Sequence, residues 1–155
     1  IVEFLDPECE ACRAMHPIVK QLTTEYAGKV RWIPRYVPLH GNSKFAIAVL
    51  EEARQQGKFE EALDAMFEHQ HDWGSHDNPK PELIVGYMKD LGVDPKTLSR
   101  DAVIEKHKAI IERDQADGQA VMIQGTPTFF VNGRRVFDLG YEPLKKAIDS
   151  ALAAN

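Results

Sequence analysis

The sequence predicts an α/β protein in which a strand–helix–strand unit opens the chain, helices fill its middle, and a hairpin with a following helix closes it. The first observation is a pair of short apolar runs at 1–5 and 30–37, with helical spacing of apolar residues between them. The second is helical spacing that continues over 43–117. The third is Asn132-Gly133 between two short apolar runs, because this dipeptide favours a two-residue hairpin turn.

Length and composition limit the class of protein. The 155 residues fit one domain with room for an insertion, and 43% hydrophobic with 28% charged residues favours a packed core. The net charge of −5 argues against a sequence-independent interaction with nucleic acid or an anionic membrane. No apolar run approaches the roughly 18 residues that span a bilayer, so we expect a chain that is not itself membrane-spanning. No export signal precedes Ile1, and we expect a mature or trimmed chain.

The first strand and the first helix are predicted at the start of the chain. Ile1–Leu5 is short, mostly apolar, and β-branched or aromatic, as expected of a strand buried on both faces, and Asp6-Pro7 ends it. A helix is predicted over Glu8–Ala27 because apolar residues recur at spacings of three and four. We expect Pro17 to kink this helix and Gly28 to end it.

The second strand is predicted over Val30–Val37, parallel to the first. Pro34 cannot donate a sheet hydrogen bond, and no strand precedes Ile1 in this sequence, so we expect Val30–Val37 at an edge of the sheet. The middle of the chain is predicted to be helical, with a polar loop at 71–80. Its helices are predicted at 43–56, 59–67, 81–91 and 101–117, the last ending at Gly118.

The end of the chain is predicted to return to the sheet. Thr126–Val131 is a strand entered through a proline, Asn132-Gly133 is the turn, and Arg135–Leu139 is the return strand. Tyr141–Ala154 follows as a closing helix, because its apolar residues lie four apart.

Cys9 and Cys12 are the only cysteines, and they stand directly after a strand at the start of a helix. Residues three apart lie on one helix face, so the two sulfurs can close a small disulfide ring. Free N–H groups and the helix dipole favour an anion there, which lowers a thiol pKa from about 8.5 to roughly 3.5–7.5. Since the thiolate is the nucleophile, we expect Cys9 to attack and Cys12 to resolve. Two ordinary core thiols and half a zinc site are the alternatives.

Two further features fit a redox site. Pro127 opens a strand after Gly125-Thr126, where a cis bond would expose backbone groups to an extended peptide, although only about 5–6% of X–Pro bonds are cis. Glu3 lies six residues before Cys9 in an otherwise apolar strand. A buried carboxyl with a raised pKa would be able to take the Cys12 proton, and the alternative is an exposed Glu3 at a frayed chain end.

Taken together, these residues resemble the thioredoxin superfamily, and within it the DsbA-like branch. The resemblance covers nearly the whole chain, and a CxxC pair with a distant Thr-Pro-Thr hairpin is far more specific than either feature alone. The matching segments are Val2-Glu3-Phe4, Cys9-Glu10-Ala11-Cys12, Pro17, Val37-Pro38-Leu39-His40 with the helix after it, and Gly125–Gly133.

The resemblance implies a thioredoxin fold with an inserted helical subdomain. Residues 1–40 and 118–155 would form the thioredoxin-fold domain, and 41–117 the insertion. The implied activity is thiol–disulfide exchange with protein thiol or disulfide substrates in the bacterial periplasm or cell envelope. A membrane protein is the implied redox partner, and neither a cofactor nor a bound metal is required.

For the site, the resemblance implies that Cys9 is the exposed attacking thiol, Cys12 the shielded one, and Glu3 the buried acid that relays protons. Pro127 is expected to be cis and to face the disulfide, with Thr126 contacting Cys9. The residues expected to contact substrate are Thr126, Pro127, Glu10 and Ala11.

The dipeptide between the cysteines departs from the family, in which it is often Pro-His or Pro-Tyr. Here it is Glu10-Ala11, and Asp6 and Glu8 add further negative charge beside Cys9. Like charge disfavours a thiolate, and Arg13 and His16 only partly oppose this effect. We therefore expect the pKa of Cys9 to be lowered less than in the strongest oxidants, so that the chain reduces or isomerises disulfides as readily as it forms them.

Histidines supply the remaining candidates. His69, His71 and His76 lie near two aspartates and fit either a transition-metal site or a solvated loop, and the loop is favoured. His40 fits either a loop hydrogen bond or a place facing the active site. Three alternatives to a disulfide-forming enzyme stay open: a reductase or isomerase of the same fold, a metal-binding module that uses the cysteines, and a non-catalytic scaffold.

Overall fold

The structure is a computed structural model that describes residues 1–154. A short sheet forms from both ends of the chain, and helices occupy the region between its second and third strands. The elements are β1 (Val2–Leu5), α1 (Glu10–Glu25), β2 (Ile33–Tyr36), α2 (Ser43–Gln55), α3 (Phe59–Glu68), α4 (Gln70–Trp73), α5 (Leu83–Asp90), α6 (Arg100–Ala120), β3 (Thr128–Val131), β4 (Arg134–Val136) and α7 (Tyr141–Ala153). A 3₁₀ turn at Pro95–Thr97 joins α5 to α6.

The sheet has the order β2-β1-β3-β4. β1 runs parallel to β2 and antiparallel to β3, and β3 forms the hairpin with β4. Glu3 lies opposite Pro34 on one side and Phe129 on the other. β2 is an edge strand among the described residues, as predicted. Its end is covered because the amide of Tyr36 donates to Asp114 of α6 at 3.1 Å.

Several predicted boundaries were too wide or misplaced. The second and fourth strands are shorter than predicted and cover only Ile33–Tyr36 and Arg134–Val136. Gln70–Trp73, partly assigned to a loop, forms a helical turn with Trp73 fully buried. The last middle helix does not end at Gly118 but continues to Ala120, so the expected boundary at 117 falls inside a helix.

Gly118 lies inside this helix, and its packing explains why a glycine stands there. A Cβ at this position would lie 3.2 Å from Val37 Cγ2 and 3.6 Å from Phe4 Cδ1. The glycine therefore serves a close approach of α6 to the sheet, whereas the sequence had suggested a helix stop.

The buried residues form two clusters. One cluster joins α2, α3, α5 and α6 to the ends of β1 and β2, and it includes both cysteines. The other packs α1 and α7 against β3, through residues such as Leu22, Phe129 and Leu144. The loop after β1 therefore lies at the border between the sheet and the helices of the middle region.

Candidate active site

The two cysteines begin α1. Cys9 precedes the helix with extended backbone angles (φ −83°, ψ 124°), and Cys12 lies one turn further on. Both thiols are free. Cys9 was expected to be exposed, but only 8% of it is accessible, and Cys12 is fully buried. Of the two residues, only Cys9 keeps any accessible surface.

The surroundings of Cys9 stabilise a thiolate. A hydrogen bond from the Cys12 thiol has the largest effect and, with help from the Thr126 side chain and the amides of Cys12 and Ala11, lowers the pKa of Cys9 to about 5 although burial opposes it. The Cys9 Sγ also lies 3.4 Å from the carbonyl oxygen of Thr126. Two segments 117 residues apart in the sequence thus meet at one sulfur.

The surroundings of Cys12 favour the neutral thiol. Burial raises its pKa far above the ordinary value, and the hydrogen bond to Cys9 and the negative charges of Cys9 and Glu3 add to this. The Asp6 amide donates to the Cys12 Sγ at 3.5 Å, which acts in the opposite direction. The pair therefore divides into one thiolate and one thiol at neutral pH.

Glu3 is buried, with 2% of its surface accessible, which excludes the exposed alternative. Burial raises its pKa to about 8, although the indole N–H of Trp32 donates to its Oε2 at 2.8 Å and opposes this. Its charge is felt at Cys12, whose pKa it raises. Glu3 is thus a carboxyl that exchanges its proton near neutral pH beside the buried thiol.

The loop before β3 forms the other wall of the site. The peptide bond between Thr126 and Pro127 is cis, and Thr128 Oγ1 donates to the carbonyl of Gly125 at 2.7 Å. Beside this loop runs an open groove of about 350 Å³ with exposed apolar side chains at Phe137 and Leu139. Thr126 therefore both lines this groove and contacts Cys9.

A polar cluster beneath the cysteines was not predicted from the sequence. Asp6 is fully buried, and its carboxylate accepts hydrogen bonds from Glu8 N, Leu39 N, His40 Nδ1 and Ser43 Oγ at 2.8–2.9 Å. Glu8 in turn accepts from the amide and side chain of Asn42 at 2.8 and 3.1 Å. The only signal in the sequence was acidic residues beside the cysteines, which were interpreted as charge rather than as hydrogen-bond acceptors.

Gln70 of α4 also holds the cysteine loop, and this residue was not predicted to belong to the site. Its Nε2 donates to the carbonyl oxygens of Pro7 and Cys9 at 2.8 and 3.0 Å. Gln70 is 2% accessible, so both bonds are shielded from water. The middle helices are thus bonded directly to the residue that bears the reactive sulfur.

The expected charge effects near Cys9 need correction at two residues. Glu10 is exposed, and His76 Nε2 lies 2.6 Å from its Oε1, so its carboxylate has a hydrogen-bonding partner. His16 does not oppose the acids beside Cys9, because its ring bonds to Asp64 at 2.6 Å.

The other histidines do not gather at the cysteines. His69 and His71 lie 3.8 and 3.4 Å from Asp72, while His76 reaches Glu10. Within residues 1–154, no three His, Cys, Asp or Glu side chains converge as a metal site would require.

Comparison with known proteins identifies proteins of similar sequence and fold. A family profile described as thioredoxin matches residues 1–150. A thioredoxin-like oxidoreductase from Silicibacter pomeroyi superposes with a TM-score of 0.82 at 29% identity, over 99% of this chain and 86% of that one. Oxidised BdbD from Bacillus subtilis superposes with a TM-score of 0.87 at 26% identity, over 98% of this chain and 86% of that one.

One relative of similar sequence is named as an ion antiporter rather than as an oxidoreductase. The Na⁺/H⁺ antiporter NhaA 1 of Salinispora arenicola is 32% identical over 158 residues, which is 99% of this chain but 23% of that protein. The chain spans under a quarter of the length of such relatives. Among residues 1–154, no helix has both the length and the apolar character to cross a bilayer. The family match shows that this chain belongs to the thioredoxin superfamily, and the two superpositions show that it shares its fold with a thioredoxin-like oxidoreductase and with BdbD.

Proposed function

We propose that the chain exchanges disulfides with protein thiols through Cys9 and Cys12, and that it forms disulfides in exported proteins. The observation that supports this most strongly is the unequal pair of sulfurs. Cys9 has a pKa lowered to about 5 and keeps some access to solvent, whereas Cys12 is buried and protonated. A nucleophile and a shielded resolving thiol are what thiol–disulfide exchange requires.

In the oxidising direction, a substrate thiolate attacks Cys9 of the Cys9–Cys12 disulfide and forms a mixed disulfide. Cys12 leaves with the electron pair and takes a proton, for which Glu3 is the nearby buried donor. A second substrate thiolate then attacks the substrate sulfur of the mixed disulfide, and Cys9 leaves as a stabilised thiolate. The substrate loses two electrons and gains a disulfide, and the enzyme ends as thiolate and thiol.

Thr126 and Pro127 are the proposed substrate contacts on one side of Cys9, and Glu10 and Ala11 on the other. The support is the contact of Cys9 with Thr126 and the open groove beside the Pro127 loop. Backbone groups in this loop would pair with an extended substrate segment, as in strand addition. Glu10 is exposed, and its Oε1 lies 2.6 Å from His76 Nε2.

The lowered pKa of Cys9 supports net oxidation. A stabilised thiolate favours the reduced enzyme, so the disulfide form tends to pass its oxidation to substrates. A pKa of about 5 lies above the roughly 3.5 of the strongest oxidants, which keeps reduction or isomerisation as the second candidate function. Formation of disulfides fits the periplasm or cell envelope, and turnover there needs a redox partner, for which we propose a membrane protein.

The test is to express Cys12→Ser in the native host and to run non-reducing gels. Without the resolving thiol, Cys9 should remain joined to substrates as mixed disulfides that a reductant releases. Cys9→Ser is the matched control and should trap none. A folded, exported Cys12→Ser protein without adducts would contradict the proposal.

A second experiment separates the two directions. The purified chain is equilibrated with reduced and oxidised glutathione, and its redox state is measured. A couple more oxidising than glutathione supports disulfide formation. A couple more reducing than glutathione supports the reductase alternative.

A further inference from the structure

Asp6 connects the cysteine pair to the start of α2. Its amide donates to the Cys12 Sγ at 3.5 Å, and its carboxylate accepts from His40 Nδ1 and Ser43 Oγ, each at 2.8 Å. The carboxylate is fully buried and bonded to several donors, so removing a donor leaves part of its charge uncompensated.

His40 is the titratable partner of this carboxylate. Since Nδ1 bonds to Asp6, the ring is held in one orientation, and it lies 6.0 Å from the ring of His76. Burial alone would lower the pKa of His40, but the bond to Asp6 and the charges of Asp6, Glu8 and Cys9 raise it above 6.5. The groups that face His40 from all sides are Asp6 and Glu8 before α1, Cys9 and Glu10 of α1, Ser43 of α2, and His76 after α4.

We propose that His40, held by Asp6, is a positioning residue whose positive charge stabilises the Cys9 thiolate and adds its own titration to the pH dependence of the redox couple. This inference rests on the proposed function and adds the residue that regulates it. The dipeptide Glu10-Ala11 supplies no cation beside Cys9. His40 supplies one from the segment between β2 and α2.

The proton balance of the couple follows from this geometry. Reduction adds two electrons, and above pH 5 it places one proton on Cys12 while Cys9 stays a thiolate. The new negative charge raises the affinity of His40 for a proton, so reduction draws further proton uptake at His40. Glu3 titrates higher, at about 8, and is shared by all variants that keep it.

The experiment measures the equilibrium of the full chain with glutathione between about pH 5.5 and 8.5. His40→Gln should oxidise glutathione about tenfold less favourably at pH 6, since a neighbouring charge shifts a pKa by about one unit or more. Towards the alkaline end of the range, as wild-type His40 loses its proton, the difference between the two proteins should disappear. His40→Lys should match the wild type at pH 6 and keep that strength at pH 8.5.

His71→Gln is the matched control, because it removes a different histidine, one that is exposed and pairs with Asp72. It should keep the pH profile of the wild type, and circular dichroism should show all variants folded. The proposal is overturned by a His40→Gln profile that follows the wild type throughout. It is equally overturned if His71→Gln shifts as much as His40→Gln. A wild-type chain that never exchanges with glutathione would instead contradict the proposed function itself.

Discussion

At the scale of single residues, the chemistry depends on how differently two identical side chains are solvated. Cys9 and Cys12 are one helical turn apart, yet one thiol is stabilised as an anion and the other as a neutral group. The CxxC spacing and its place after a strand made this pair predictable. The sequence could not show that Glu10 is paired with His76 or that Asp6 is buried and bonded to His40, because those contacts join segments that are distant along the chain.

Glu3 gives the first prediction at this scale. With a pKa of about 8, its ionised fraction grows as pH rises through 8, and the carboxylate is the form that takes the Cys12 proton. Glu3→Gln should therefore slow the attack of Cys12 on a Cys9–glutathione mixed disulfide about a hundredfold at pH 8. Rapid-mixing measurement of glutathione release from pH 6 to 9 provides the check.

The control for this prediction is Glu61→Gln, since Glu61 is an exposed carboxyl of α3. It should leave the rate of glutathione release unchanged. Equal rates for Glu3→Gln and wild type at every pH would show that Glu3 has no part in moving the proton.

At the scale of elements, α6 fixes the position of the sheet edge. Asp114 of this helix accepts from Arg35 Nε at 2.7 Å and from the Tyr36 amide at 3.1 Å, so an edge strand ends with its donors paired. The elements themselves were predictable from periodicity. The ends of the elements were harder to predict. Gly118 suggested a helix stop, whereas the structure shows that this glycine allows α6 to approach the sheet closely.

Two glycines test this explanation. Gly118→Leu should destabilise the protein by about 2 kcal/mol or more, because the side chain must displace Val37 and Phe4. Gly86, in α5, has nothing within 4 Å of its Cβ position, so Gly86→Ala should be neutral or stabilise by up to about 1 kcal/mol. Urea unfolding of both variants makes the comparison. A Gly118→Leu protein as stable as wild type would refute the close approach.

At the scale of the whole molecule, the redox state of the cysteine pair changes the stability of the fold. In the reduced protein the folded pKa of Cys9, about 5, lies below the ordinary 8.5 of an unfolded chain. A lowered pKa stabilises the folded state fully above pH 8.5, and the stabilisation is lost as pH falls towards 5. The disulfide form has no such charge and lacks this contribution.

The reduced protein should therefore lose more stability than the oxidised protein as pH falls from 7 to 5. We expect the difference between the two forms to change by about 2 kcal/mol over this range, allowing for partial solvent screening. Parallel urea titrations of the two forms, with a phosphine reductant for one, measure it. A difference that stays constant with pH would mean that Cys9 is protonated in the folded protein.

The claim on which the whole account depends is that Cys9 alone is a thiolate at neutral pH. The most direct measurement is the rate at which iodoacetamide alkylates each cysteine of the reduced protein as a function of pH, with the two sites separated by peptide mass. We predict that Cys9 reacts with a midpoint near pH 5 and that Cys12 stays unmodified while the protein is folded. A midpoint near the ordinary 8.5, or equal labelling of Cys12, would contradict the account.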